Sequence, residues 1–381
     1  MQVGSLRESA TVEQGRIPAL DVLRGIAILG TLATNIWVFT LSSRAMADAD
    51  SWLARFAMWL PNGKFLGLLT IMFGIGLEIQ RQSALRAGRK WPGKYPIRAG
   101  LLFADGVLNY VFVVQFDVLR AYAVVGVLVA FLLLSSERVQ WWLAGIFMAV
   151  HFAVLAWQGF GSDDGTGANS AWQAEDLPGA TSWWSEVMYN ARSLGWSFGY
   201  GSEFLTILLM GLGLFLIGAK LYRHGIFTEA KRELRLSMIG AGFLVALPMQ
   251  YLLGMTSILP PGAEPFGRYA AAPVVSLGIL ALVAEFYVRR PRLAMPGRLL
   301  SYIGRMALSC YLLQNILGVL AQRMVFSRAV FQRMDITVLT CGAFVAISAT
   351  LLVFSWLWLR WQPRGPFEAA WNWCYRKLAR E

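Results

Sequence analysis

The feature that most constrains this chain is a series of apolar runs, each about as long as a bilayer is thick, repeated from end to end. A helix crossing the hydrocarbon needs about 20 predominantly apolar residues. Ten such runs are read at 19–41, 63–80, 98–116, 118–135, 139–158, 200–221, 236–256, 267–288, 299–321 and 336–360. Only 15% of the residues are charged, whereas soluble domains carry about 25%. The expected fold is therefore all-α: a polytopic integral membrane helix bundle of about ten transmembrane helices. Asp117 and Arg120 interrupt a continuous apolar stretch, and the spacing predicts a tight hairpin there.

Lys and Arg set the expected orientation. With the N-terminus inside, inner segments hold 24 of them and outer segments nine, with Arg305 inside the ninth span. That bias predicts both termini in the cytoplasm. Arg323, Arg328 and Arg333 go against it in the outer hairpin 322–335. The expected order is a cytoplasmic segment 1–18, five spans over 19–158, an extracytoplasmic Trp-rich loop 159–199, five spans over 200–360 and a cytoplasmic tail 361–381. Ala45-Met46-Ala47 resembles a signal-peptide cleavage site. The preceding apolar stretch is long for that role, with Asp21 at its base, so the segment is read as a span. The expected location is a cell membrane, crossed several times.

The net charge of +12 lies in short loops between apolar runs. That pattern fits anionic lipid headgroups as partners and argues against nucleic acid. Cys310, Cys341 and Cys374 form no CxxC pair, and His151 and His224 have no metal-ligand spacing, so no metal site is expected.

The loop 159–199 carries Trp172, Trp183, Trp184, Tyr189 and Trp196 among acidic residues. It is read either as an aromatic belt at the interface or as a cover over a cavity. The tail alternates Phe367, Trp371, Trp373 and Tyr375 with Arg376, Lys377 and Arg380, the pattern of an amphipathic helix on the membrane surface.

Ionisable groups at bilayer depth are costly and tend to face a partner or a wet cavity. Those of the third and ninth spans, Asp105 and Arg305, are expected at similar depth and facing the bundle interior. An ion pair between them, structural or catalytic, stays open. Asn109 shares a helix face with Asp105. Asn35, Glu78, His151, Glu203, Gln250, Glu285, Gln314 and Asn315 complete the polar residues inside the apolar runs, with Glu203 read either as a general base or as a carboxylate at a wet helix end. Residues 21–30 (DVLRGIAILG) echo residues 117–126 (DVLRAYAVVG). Each copy places Asp and Arg three apart on one helix face, Asp21 with Arg24 and Asp117 with Arg120. The echo reads either as an inverted repeat of the transporter kind or as coincidence. Gly74, Gly76, Gly211, Gly213 and Gly218 predict close helix approach.

Six blocks in order, RIPALDVLRGIAILGTLATNI (16–36), KFLGLLTIMFGIG (64–76), FDVLRAYAVVG (116–126), MGLGLFLIGAKLYRHGIF (210–227), GRMALSCYLLQN (304–315) and PRGPFEAAWNW (363–373), resemble the YeiB-like bacterial membrane proteins, a family defined by a domain of unknown function. That family resembles, more distantly, the transmembrane acyltransferases. The resemblance implies transfer of an acyl group from a cytoplasmic donor, commonly acyl-CoA, to an extracytoplasmic glycan or lipid acceptor, with no resident cofactor. It would place Asp21 and Arg24 at the donor's mouth and Arg305 beside them. This chain departs from the pattern in having no histidine from Asn35 to Lys64. It has Asn109 where a Gly-x-x-His is common, and Phe116 before Asp117. Asn is no general base, so proton transfer would fall to Asp105 or Glu203. A transporter or flippase, and a non-enzymatic scaffold, are the rival classes.

Overall fold

The computed structural model describes residues 17–41, 49–161, 182–199, 202–256, 258–290 and 292–379. The sequence features at Ala45–Ala47, Trp172 and Arg380 lie outside them. Among the described residues there is no strand. The helices are α1 (Pro18–Leu41), α2 (Trp52–Trp59), α3 (Lys64–Arg86), α4 (Tyr95–Phe112), α5 (Leu119–Leu132), α6 (Glu137–Phe160), α7 (Trp183–Ser193), α8 (Glu203–Arg223), α9 (Arg232–Gly240), α10 (Leu247–Met255), α11 (Glu264–Phe266), α12 (Ala272–Arg289), α13 (Met295–Arg305), α14 (Ala307–Ala321), α15 (Ala329–Gln332), α16 (Ile336–Trp358) and α17 (Pro366–Ala379). π-helical turns join α9 to α10 and α11 to α12, and extend α14 to Phe326.

Each run read from the sequence falls on a helical segment. Among the described residues, seven segments are long and apolar enough to cross a membrane, and an eighth does so as the bent pair α13 and α14. The protein is thus a multi-pass membrane helix bundle. The two remaining runs are α5, which has only 14 residues, and α4, which has 18 and carries Arg98 and Asp105. They pack against each other as the expected hairpin around Asp117. The ninth run is a correction. It is not one helix: the chain turns by 85° between Arg305 and Ala307.

Two apolar cores hold the bundle. One joins α3, α5 and α8 through Leu68, Ile75, Tyr122, Val125 and Phe215; the other joins α1, α14 and α16 through Leu32, Ile36, Cys310, Leu339 and Leu351. Glycines set how closely the helices meet. A Cβ on Gly74 would lie 2.3 Å from the Phe215 carbonyl oxygen, and one on Gly218 would lie 2.3 Å from that of Ile71, so α3 and α8 touch backbone to backbone. Gly76 differs from the expectation: nothing but the Arg24 guanidinium approaches it, at 3.8 Å.

The ends of the helices are tied by ion pairs. At the end where α3 and α8 finish, Glu78 takes Arg81 and Arg223, and Glu285 takes Arg235 and Arg289. At the other end, arginines that break the charge bias have carboxylate partners: Arg120 with Asp117, Arg268 with Glu203, and Arg323 with Glu186. A buried arginine so neutralised costs far less than a lone one.

Candidate functional site

α1 and α3 run side by side, and two cavities lie end to end along them. The larger, about 580 Å³, opens at the Arg-rich end. Its walls come from α1 (Arg24, Ile28), α3 (Leu69 to Gln80), α4 (Tyr95 to Leu102), the break between α13 and α14 (Gly304 to Tyr311) and α17 (Glu368 to Asn372). The deep part is apolar, with Ile28, Leu69, Met72, Phe73, Leu102 and Leu119. The mouth is cationic, with Arg24, Arg98, Arg305 and Arg364 against one carboxylate, Glu368. Gly76 lines this chamber, which is why no neighbour presses on it.

The smaller cavity, about 50 Å³, sits further along the same helices. Thr31, Thr34, Asn35 and Val38 of α1 and Leu66 of α3 line it, with Asp117, Glu203, Arg268 and Tyr311. Since one water needs about 10–15 Å³ of such space, this polar pocket has room for a few. A helix rises about 1.5 Å per residue. From Gln80 in the chamber to Gly63 in the small cavity, α3 therefore covers about 25 Å of a hydrocarbon core about 30 Å thick.

The partition between them is built from the α4–α5 hairpin and α14. Asp117 and Val118 line the small cavity, Leu119 lines the chamber, and Tyr311 lines both. Asp117 is 6% exposed. It accepts hydrogen bonds from the Arg120 amide at 3.0 Å, Asn109 Nδ2 at 3.3 Å and the Tyr311 hydroxyl at 3.5 Å. Asn315 donates in turn to Asn109 at 3.4 Å. Arg120 Nε lies 3.6 Å from Asp117 Oδ2, its guanidinium stacks 4.1 Å from the Tyr110 ring centroid, and it donates to Ser197 Oγ at 2.6 Å. A Cβ on Gly106 would sit 2.5 Å from Asp117 Oδ2, so glycine is what lets α4 close on the hairpin. On the far side of the small cavity Glu203 accepts from Arg268 at 2.7 Å and from Tyr269 at 3.0 Å.

The residues singled out in sequence are thus divided. Arg24 and Arg305 meet at the chamber, as expected, and Asp21 pairs with Arg24 at 3.7 Å. Asn35, Asp117 and Glu203 meet at the small cavity. Asp105 is the correction. Among the described residues it has no ion pair with Arg305, and it lines neither cavity. Its Oδ2 is buried without a hydrogen-bond partner, as is Arg305 Nε. Arg305 ends α13 at the sharp turn instead of lying mid-helix. Gln314 is fully buried with both polar atoms unpartnered and lines neither cavity. Tyr311, Arg98 and Glu368 belong to the two cavities and their partition without standing out in the sequence, whereas Asn315, one of the polar residues read inside the apolar runs, joins the partition through Asn109. Tyr311 lies three residues before Gln314 in a block that carries the family resemblance, and helical spacing is the one signal that could raise it.

The loop, read as a belt or a cover, and the tail, read as a helix on the membrane surface, both pack on the bundle. Gln115 and the Val111 carbonyl bond Asn190 of α7, and Trp183 Nε1 donates to the Phe112 carbonyl, so α7 sits over the hairpin. α17 packs on α4 and α14 and walls the chamber, so one face meets protein, while Trp373 stays 58% exposed.

Comparison with known proteins agrees with this architecture. The uncharacterized protein YeiB of Escherichia coli (strain K12) is 27% identical to this chain over 93% of it and 94% of the relative. The uncharacterized protein YxaH of Bacillus subtilis (strain 168) is 24% identical over 97% and 96%. The family model described as a protein of unknown function (DUF418) matches residues 221–377. The chain is similar to these YeiB-like proteins along nearly its whole length. The DUF418 match contains the helix break, Tyr311 and all but the last two residues of α17.

Proposed function

We propose that this YeiB-like protein is a cell-envelope acyltransferase of the bacterial inner membrane, with the Arg-rich mouth facing the cytoplasm. An anionic acyl thioester such as acyl-CoA enters the chamber, and a glycan or lipid hydroxyl approaches from the opposite face through the small cavity. The observation that carries the reading is the end-to-end pair of cavities meeting at Tyr311 and Asp117. The cationic mouth suits phosphate, since arginine offers paired charge-assisted donors, and the apolar interior suits an acyl chain. At the partition the acceptor oxygen attacks the thioester carbonyl. An ester C–O bond forms and the C–S bond breaks. The hydroxyl proton passes to a carboxylate, Asp117 or Glu203, and finally to the departing thiolate. No histidine lines either cavity, so a carboxylate takes the part of base.

The experiment is equilibrium binding of octanoyl-CoA to the purified protein, together with thiol release on addition of acceptor lipid or glycan extract. Saturable binding weakened by Arg24→Ala, with acceptor-dependent thiol release, is the expected result. Thiol release without acceptor dependence, or binding unaffected by Arg24→Ala, contradicts it. A transporter is favoured by the same path, since Tyr311 separates two cavities as a gate would. Substrate flux into liposomes with no thiol released would select that reading.

A further inference from the structure

The chamber's only carboxylate among its described lining residues belongs to the chain itself. Glu368, on the first turn of α17, reaches the first turn of α14, just past the 85° break. Its Oε1 accepts from the Leu308 amide at 2.9 Å and the Ser309 amide at 3.2 Å. Its Oε2 accepts from the Ser309 hydroxyl, and that same hydroxyl accepts from the Phe367 amide at 3.1 Å. The amides at a helix start have no intrahelical acceptor and carry partial positive charge. They attract any anion within reach, and Glu368 is the one supplied.

The rest of α17 meets α4 through cation–π contacts and a hydrogen bond from the residue that precedes α4. Arg98, at the chamber wall, holds its guanidinium 4.5 Å from the Tyr375 ring centroid and 5.8 Å from that of Trp371. Lys94 donates to the Ala379 carbonyl at 2.7 Å. Trp371 and Asn372 form part of the chamber wall. α17 is therefore a cover whose fixing point is one carboxylate set among Arg24, Arg305 and Arg364, in a cavity whose Arg305 Nε is buried and unpartnered.

We infer that Glu368 is an internal stand-in for the ligand's anionic group: it latches α17 over the chamber, and a phosphate-bearing ligand displaces it and frees the helix. This rests on the reading above that the chamber takes an anionic ligand. It assigns that site a regulation of its own. A carboxylate and a phosphate compete for the same cationic mouth and the same amides, so binding and opening are one event. The apparent affinity of a site that must first open is lowered by the fraction open. Removing the competing charge therefore raises affinity.

The test uses the full chain in nanodiscs with octanoyl-CoA as probe, comparing wild type, Glu368→Gln and Ser309→Ala. Glu368→Gln keeps an oxygen to accept from the amides but loses the charge. Ser309→Ala keeps the charge but removes the hydroxyl. Binding is expected to tighten by roughly tenfold in Glu368→Gln and by less in Ser309→Ala. Hydrogen exchange over 366–379 should rise in wild type when octanoyl-CoA is added, and should already be raised in Glu368→Gln without it. Tightened binding with that exchange pattern supports the latch. Wild-type binding that is unchanged or weakened in Glu368→Gln, with no change of exchange in α17, overturns the latch and leaves the chamber reading standing. Binding by none of the three overturns both.

Discussion

Where α3 crosses α8, Gly74 faces the Phe215 backbone and Gly218 faces that of Ile71, and the helices continue unbroken on either side. Where α1 meets α13, Gly25 faces the Leu300 carbonyl, Gly304 faces that of Asp21, and the chain turns by 85° just after Gly304. The same device, glycine against backbone, closes a wall in the first place and anchors a corner in the second. The two places differ in the residues that come after the glycine. Beyond Gly218 the chain continues helically into Lys220 and Arg223, which pair with Glu137 and Glu78. Beyond Gly304 come Arg305, with an unpartnered Nε, and the first amides of α14, held by Glu368 from α17. The bundle thus has one seam closed backbone to backbone and one corner that opens beside a cavity.

That contrast can be broken at several points. The largest effect is expected at the partition. Asp117→Ala leaves Arg120 buried without its carboxylate, and such losses cost about 3–5 kcal/mol; thermal unfolding in detergent should show it as a strongly lowered midpoint. Next is a paired test on one helix face and the next. Gly74→Leu pushes a side chain into the α8 backbone and should cost about 1–3 kcal/mol, as overpacking does. Gly76→Leu, two residues on, points into the chamber. Its melting midpoint should stay near wild type while octanoyl-CoA binding is lost. If both melt alike, the chamber is no more open than the seam. Arg24→Ala and Arg305→Ala should each weaken that binding by about 10- to 100-fold, as expected for one charge-assisted hydrogen bond of about 1.5–3 kcal/mol. Smallest is Asp105→Asn. Lining neither cavity, it should leave binding and thiol release within about twofold and stability within about 0.5 kcal/mol.

Much of the frame is legible in the amino-acid sequence. Runs of apolar residues specify helices in lipid because no other open structure satisfies the backbone there. The hairpin at Asp117 and both Asp–Arg pairs, at 21 with 24 and 117 with 120, follow from charge and spacing. The break after Arg305 does not, because one arginine in the apolar run 299–321 reads as a buried charge and not as a bend; Gly304 packs on the Asp21 carbonyl just before the turn. Asp105 draws attention as a buried charge, yet helical periodicity says which residues share a face, not which face looks into a cavity. Tyr311 is silent because a tyrosine in an apolar run carries no charge signal. Glu368 is silent because its partners are backbone amides 59 and 60 residues away.

The most direct test of two cavities meeting at one partition is an electron cryomicroscopy map of the full chain in nanodiscs with saturating octanoyl-CoA. Density is expected in the chamber, with the phosphates against Arg24, Arg98 and Arg305, the acyl chain ending at Tyr311, and the small cavity free of donor. Donor density outside the chamber, or a chamber filled by bilayer lipid at saturating donor, would contradict that arrangement.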